Sequence, residues 1–311
     1  MKYSIVFPGQ GSQSLGMLSE LRSNFSAVNE IFQEASDAIN VDLWKIINED
    51  QALLNLTENT QPVMLAAGYA TYKVLASEVS LTPISIAGHS LGEYTALVAS
   101  GSLSFFEAVK LVRKRAELMQ AAVPSGSGSM AAILGLDDVK VIEICSIANE
   151  VGVVEAVNFN SPGQVVIAGE KKAVANACEL MKEAGAKRAL VLPVSVPSHC
   201  SLMKDAAMNF KHSVETINFQ MGGEKVLHNV DADYSSNIEE IKSKLVEQLY
   251  KPVLWTSSVQ KMKSSGVEKL IEAGPGKVLT GLTKRIDKSL SGSAIIDITT
   301  LKSTIEEISN A

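Results

Sequence analysis

The sequence predicts an α/β protein: a largely parallel sheet covered by helices and interrupted by a small α+β unit. Three observations carry this. Short apolar runs alternate with helix-period segments from Tyr3 to Ala122, and strands separated by helices pair in parallel rather than as hairpins. The Gly/Ser-rich run Val123-Pro124-Ser125-Gly126-Ser127-Gly128-Ser129 breaks that alternation and marks a boundary. Beyond it the order becomes strand, helix, strand, strand, helix, strand within about seventy residues.

Tyr3–Phe7 reads as a buried strand that ends at Pro8-Gly9. Residues 17–40 carry helical periodicity, and Pro62–Ala76 reads as a helix starting after Thr60-Gln61. Ile84-Ser85-Ile86-Ala87 is a short apolar strand, and Leu91–Ala99 is helical. After the turn at Ser100-Gly101, Phe105–Ala122 forms a long amphipathic helix. In the small unit, strands are expected at 130–134, 153–159, 164–168 and 187–195, and helices at 138–149 and 171–184. A turn falls at Ser161-Pro162-Gly163. This β-α-β-β-α-β run is the ferredoxin-like order. The chain then returns to strands near 225–230, 267–272 and 293–298 among helices near 201–212, 238–249 and 277–290. The expected organisation is a large α/β domain in two segments, 1–124 and 196–311, with a small domain, 125–195, inserted between them. No internal repeat is visible.

Hydrophobic residues make up 46% and charged residues 20% of the 311, an ordinary globular mixture without a disorder signature. A net charge of −6 and the absence of a Lys/Arg block argue against nucleic acid as a partner. Cys145, Cys178 and Cys200 are too few and too scattered for a disulfide framework or a zinc site. MKYSIVF carries one charge and a short apolar run, far less than a signal peptide. No stretch approaches the roughly 20 apolar residues of a membrane span. The expectation is a soluble, reduced, cytoplasmic protein without a membrane partner, with a monomer as the default.

Gly88-His89-Ser90-Leu91-Gly92 falls between a strand and a helix. A tight turn there pushes the Ser90 hydroxyl outward, and glycines two residues to either side remove side chains that would collide. The helix N-terminus also offers the backbone N–H of Leu91 to a developing oxyanion. The bland alternative is a βα turn with a serine cap. A nucleophilic serine needs a base, and there are four histidines. His89 shares the sharp turn and reads as a pocket wall or core contact. His212 ends a surface-type helix, and His228 lies in an apolar strand pattern as a satisfied interior histidine. His199, in Pro197-Ser198-His199-Cys200, stands where the inserted unit hands the chain back, so position favours it as the base. No Asp or Glu announces itself as the orienting third member; a backbone carbonyl would serve.

On the helix 105–122, Arg115 falls inside the apolar arc, between Leu111 and Ala108, at about 100° per residue. Arg113 lies at the edge of the arc. A buried guanidinium needs an anion, which is either an internal carboxylate or a substrate carboxylate held by a bidentate fork. The residues alone leave both open. Pro8-Gly9-Gln10-Gly11-Ser12-Gln13 fails the dinucleotide fingerprint, because Ser14 stands where the third glycine belongs. The same loop suits a second oxyanion donor, the N–H of Gln10. Gly274-Pro275-Gly276-Lys277-Val278 is likewise no phosphate loop, since Ile271 and Val278 occupy the key positions.

Together these residues resemble the malonyl-CoA:acyl carrier protein transacylases of bacterial fatty-acid synthesis. The resemblance runs nearly end to end, through FPGQGSQ (7–13), NTQPVML (59–65), GHSLGEYTALVASG (88–101), RKRAELMQ (113–120), NFNSPGQVVIAG (158–169), PVSVPSHC (193–200), QLYKPVLW (248–255) and EAGPGKVLTGLTKRI (272–286). It implies a hydrolase-like α/β core with a ferredoxin-like small domain. It implies Ser90 as the acylated nucleophile, His199 as its base, and Arg115 as the grip on the malonyl carboxylate. Gln10 and Leu91 would supply the oxyanion N–H groups, the backbone carbonyl of Gln248 would orient His199, and Gln61 and Asn160 would line the pocket. The implied partners are malonyl-CoA and acyl carrier protein, with CoA thioester as substrate and neither cofactor nor metal. Rival readings are a serine thioesterase or hydrolase, a malonyltransferase serving a polyketide synthase, and a noncatalytic module that binds a carrier protein.

Overall fold

The computed structural model describes residues 1–194 and 196–310. Among these residues the strands are β1 Tyr3–Phe7, β2 Ile86–Gly88, β3 Gly128–Leu134, β4 Val154–Ser161, β5 Gln164–Glu170, β6 Arg188–Val191, β7 Val226–Leu227, β8 Lys269–Ala273 and β9 Ser291–Ile295. The first sheet has the order β7-β2-β1-β8-β9, and every neighbouring pair is parallel. β1 is buried along its whole length because both faces are covered. Ile5 and Phe7 join the core beneath the helix Thr57–Glu78, whereas Val6 packs with Trp255, Val259 and Leu282 on the other face.

The second sheet has the order β4-β5-β3-β6 and is antiparallel throughout. Helices Asp138–Ala148 and Lys171–Glu183 cover one face, through Ile133, Val165 and Ile167 against Val141, Ile144, Val174 and Met181. The opposite face presents Met130, Val166 and Ala168 to Cys200 on the return segment. β4 is tied to the segment that leads into the helix Trp255–Ser264, where Val253 N–H donates to the Val157 carbonyl (2.8 Å) and Phe159 N–H to the Val253 carbonyl (3.0 Å).

Several boundaries differ from expectation for identifiable reasons. The periodic stretch 17–40 is two helices, Ser19–Asn24 and Ser26–Ile39, separated by an extended Phe25. The helix expected from Pro62 begins at Thr57 instead. Proline cannot donate to the carbonyl four residues back, and Arg113 Nη1 takes that Glu58 carbonyl at 3.0 Å. A distant arginine thus permits an internal proline. The helix near 201–212 is a 3-10 turn, Ser201–Met203, followed by Lys204–Thr216, so His212 lies within it rather than at its end. The strand expected at 187–195 ends at Val191; Ser195 and Ala311, the last residues of the two expected domains, lie outside the described residues. The expected strand 293–298 shifts to β9 because Asp297 caps a helix, Ile298–Ser309, in a reciprocal box with Thr300. Helices Leu43–Glu49, Gln51–Leu54 and Trp255–Ser264 were not legible in the sequence. No helix among the described residues is long and apolar enough to cross a membrane.

Candidate active site

β2 runs into the helix Gly92–Ala99 through a turn too tight for side chains at its flanks. A Cβ on Gly88 would lie 1.9 Å from the Gly92 carbonyl group, and one on Gly92 would lie 2.1 Å from the Phe7 carbonyl oxygen. Ser90 sits at the apex with φ 52°, a left-handed conformation that a non-glycine residue adopts only when its surroundings impose it. Asn229 imposes it. Its Oδ1 accepts from Ser90 N–H at 2.7 Å while its Nδ2 donates to the Gly88 carbonyl at 2.7 Å.

His199 also has a left-handed backbone, φ 68°, held by its N–H on the Leu249 carbonyl at 2.9 Å. Its Nδ1 meets the Gln248 carbonyl oxygen at 2.6 Å. A carbonyl only accepts, so Nδ1 carries the proton and Nε2 presents a lone pair. That lone pair faces Ser90 Oγ at 2.7 Å. Burial, reinforced by the positive charge of Arg115, pushes the His199 pKa down to about 3 despite the opposing Gln248 carbonyl. The ring is therefore neutral near pH 7 and available as a base.

Arg115 is 1% exposed. Nη1 donates to Gln61 Oε1 at 2.9 Å and Nη2 to Gln248 Oε1 at 3.0 Å, and the guanidinium lies 5.4 Å from the centroid of the Tyr94 ring. Its Nε has no acceptor, and no carboxylate pairs with it, among the described residues. Burial lowers its pKa, opposed by Tyr94 and Glu93. The internal ion pair weighed from the sequence is thus replaced by two neutral amide oxygens. Arg113, two residues earlier, pairs with Glu117 and Glu58 on the outside.

Ser90, His199 and Arg115 line one cleft of about 120 Å³ between the two sheets. Gln10, Gln61 and Leu91 line it too, and Met119, Met130, Leu192 and Val194 give it apolar walls. The backbone N–H groups of Gln10 and Leu91 make no hydrogen bond to another described residue. Asn160 stands behind the cleft, its Oδ1 2.8 Å from His89 Nε2; the asparagine on the wall is Asn158. His89 lines the cleft, and burial lowers its pKa. Sequence reasoning missed Asn229, the side chain of Gln248 and the buried Glu93. An acidic residue in an otherwise largely apolar helix, buried from Gly92 to Val98, was the available signal for Glu93, since such a group demands partners.

The family model for the acyl transferase domain matches residues 4–299. The malonyl CoA-acyl carrier protein transacylase of Haemophilus influenzae is 52% identical over 98% of this chain and 98% of its own. The protein of that name from Escherichia coli is 50% identical over 98% of this chain and 99% of its own. Among solved structures, a malonyl-transacylase in complex with its type II PKS acyl carrier protein superposes with a TM-score of 0.97 at 48% identity, covering 99% of this chain and 100% of its own. The fold and the site thus define an acyl transferase. Within that class the chain belongs to the malonyl CoA-acyl carrier protein transacylase family.

Proposed function

We propose that the protein transfers the malonyl group from malonyl-CoA to the pantetheine thiol of acyl carrier protein, supplying extender units for fatty-acid synthesis. The observation that carries this is Arg115, a buried cation with an unpartnered donor in the same cleft as a Ser–His pair. A cation so placed suits an acyl group with a free carboxylate, and a simple hydrolase has no use for it.

Ser90 Oγ attacks the thioester carbonyl as His199 Nε2 takes its proton. The N–H groups of Gln10 and Leu91 hold the tetrahedral oxyanion. Collapse breaks the C–S bond, and the departing CoA thiolate takes the proton from His199. Malonyl is left as an ester on Ser90, its carboxylate on Arg115. The carrier thiol then enters, gives its proton to His199 and attacks the ester carbonyl. The second oxyanion collapses, returning the proton to Ser90 Oγ. Apolar walls and a carboxylate fixed at Arg115 favour the positioned thiol over water.

In this reading the parallel sheet with its elbow serine is a hydrolase-like core, residues 1–124 and 196–311. The 125–195 insertion is ferredoxin-like, supported by the strand order β4-β5-β3-β6. The test is intact-mass spectrometry after incubation with malonyl-CoA. One malonyl group is expected on Ser90, absent in Ser90→Ala and discharged by carrier protein. No mass increase overturns the enzyme reading; discharge by water as fast as by carrier favours a hydrolase.

A further inference from the structure

Glu93 lies three residues after Ser90, in the buried helix Gly92–Ala99, with no exposure. Its carboxylate is held on three sides. His228 Nδ1 lies 2.8 Å from Oε1, and Asn229 N–H and Gln248 Nε2 donate to Oε2 at 2.9 and 2.8 Å. His228 is in turn fixed by Ser235 Oγ, 2.9 Å from Nε2. None of these contacts touches the cleft, yet one reaches a residue that does two jobs there.

We infer that Glu93 is a positioning residue for acyl selectivity: by fixing which way the Gln248 side-chain amide faces, it holds Arg115 where it grips the carboxylate of the incoming acyl group. This rests on the acyl-transfer reading above. The Gln248 amide has two chemically opposite ends. Nε2 donates to Glu93 Oε2 and, at 3.0 Å, to the Ser90 carbonyl, so both of its hydrogens are taken by groups that only accept. Oε1 is left to accept from Arg115 Nη2. Turned over, the amide would set oxygen against two oxygens and N–H against the guanidinium. The other support of Arg115 is weaker, because among the described residues Gln61 Nε2 is anchored only by Met119 Sδ at 3.8 Å. Asn229, by contrast, stays clamped to the elbow at both ends without Glu93. Loss of Glu93 thus frees the arginine more than the serine.

Glu93→Gln separates this role from plain charge. A glutamine oxygen can take the Asn229 and Gln248 donors, while its amide nitrogen donates to His228 Nδ1. The histidine accepts there by carrying its proton on Nε2, which donates to Ser235 Oγ. Every bond survives, whereas Glu93→Ala keeps none. The experiment measures initial rates of Ser90 acylation by malonyl-CoA and by acetyl-CoA, by intact mass, in wild type and both variants. Glu93→Ala is expected to lower the malonyl-to-acetyl ratio about tenfold or more, the loss residing in the malonyl rate, and Glu93→Gln to stay within about threefold of wild type. Equal loss for both acyl groups in Glu93→Ala, an unchanged ratio, or a Glu93→Gln ratio as low as that of alanine overturns the inference. If circular dichroism shows the alanine variant unfolded, Glu93→Met, of similar volume and without strong acceptors, takes its place. Wild type that gains no malonyl group overturns the acyl-transfer reading instead.

Discussion

The buried His199 makes stability depend on pH in a way that can be isolated. Its folded pKa is about 3, against about 6.5 for a histidine in an unfolded chain. Below about pH 6.5 the unfolded state binds a proton that the native ring refuses, so acid favours unfolding. The contribution is complete above the unfolded value and is lost progressively as pH falls toward the folded value. At about 1.4 kcal/mol per pH unit, moving from pH 6.5 to 5 removes roughly 2 kcal/mol of stability through this one ring. His199→Asn removes the titration while suiting the left-handed backbone, a region asparagine tolerates. Urea unfolding of both proteins at pH 7 and 5 gives the comparison, since the other titrating groups are common to both. The wild type is expected to lose about 2 kcal/mol more than the variant between the two pH values. Equal losses would show that the ring is hydrated or charged in the native state, and would remove the basis for calling Nε2 a free base. The same depression predicts that kcat/KM for malonyl-CoA, which reports free-enzyme ionisations, shows no histidine-like fall between pH 7 and 5.5.

Arg115→Ala is expected to cut kcat/KM for malonyl-CoA by about a hundredfold or more, with acetyl-CoA loading little changed, because a carboxylate in the cleft would lose its only buried charge partner among the described residues. A parallel fall for both substrates would mean that the arginine is structural. Asn229→Ala leaves the Ser90 N–H and the Gly88 carbonyl without partners, so we expect about 1–3 kcal/mol of lost stability together with slower Ser90 acylation; unchanged loading would show that the elbow holds its own shape. Arg113→Leu orphans the Glu58 carbonyl that Pro62 cannot serve, and should lower stability by about 1 kcal/mol while leaving acylation intact. Thermal melts and loading rates on the same samples check it.

What was legible in the sequence was local. The elbow could be read because its glycines, serine and helix start are contiguous, and the burial of Arg115 could be read because helical period alone assigns a face. The alternation of elements likewise gave two sheets of different kinds, which the strand orders bear out. What joins residues far apart in the chain was opaque to the residues themselves. Nothing in a window around Gln248 says that its carbonyl reaches His199 or that its side chain reaches Arg115; only the family resemblance raised the first, and nothing raised the second. The Pro62 boundary failed for the same reason, because the group that rescues the helix lies some fifty residues on, at Arg113. His228 was read as a satisfied interior histidine, which its contacts with Glu93 and Ser235 match, but the sequence held no hint of which residues satisfy it.

Because the acceptor for His199 is a main-chain carbonyl, the anchor of its ring is not written in any codon. Whatever amino acid stands at 248 supplies that oxygen, so drift at this site leaves the His199 ring its acceptor. The side chain is another matter, for it accepts from Arg115 and donates to the Ser90 carbonyl and to Glu93. One position therefore carries an invariant duty in its backbone and a heritable one in its side chain. A substitution there keeps the oxygen that steadies the His199 ring while removing the amide that meets both Arg115 and the Ser90 carbonyl.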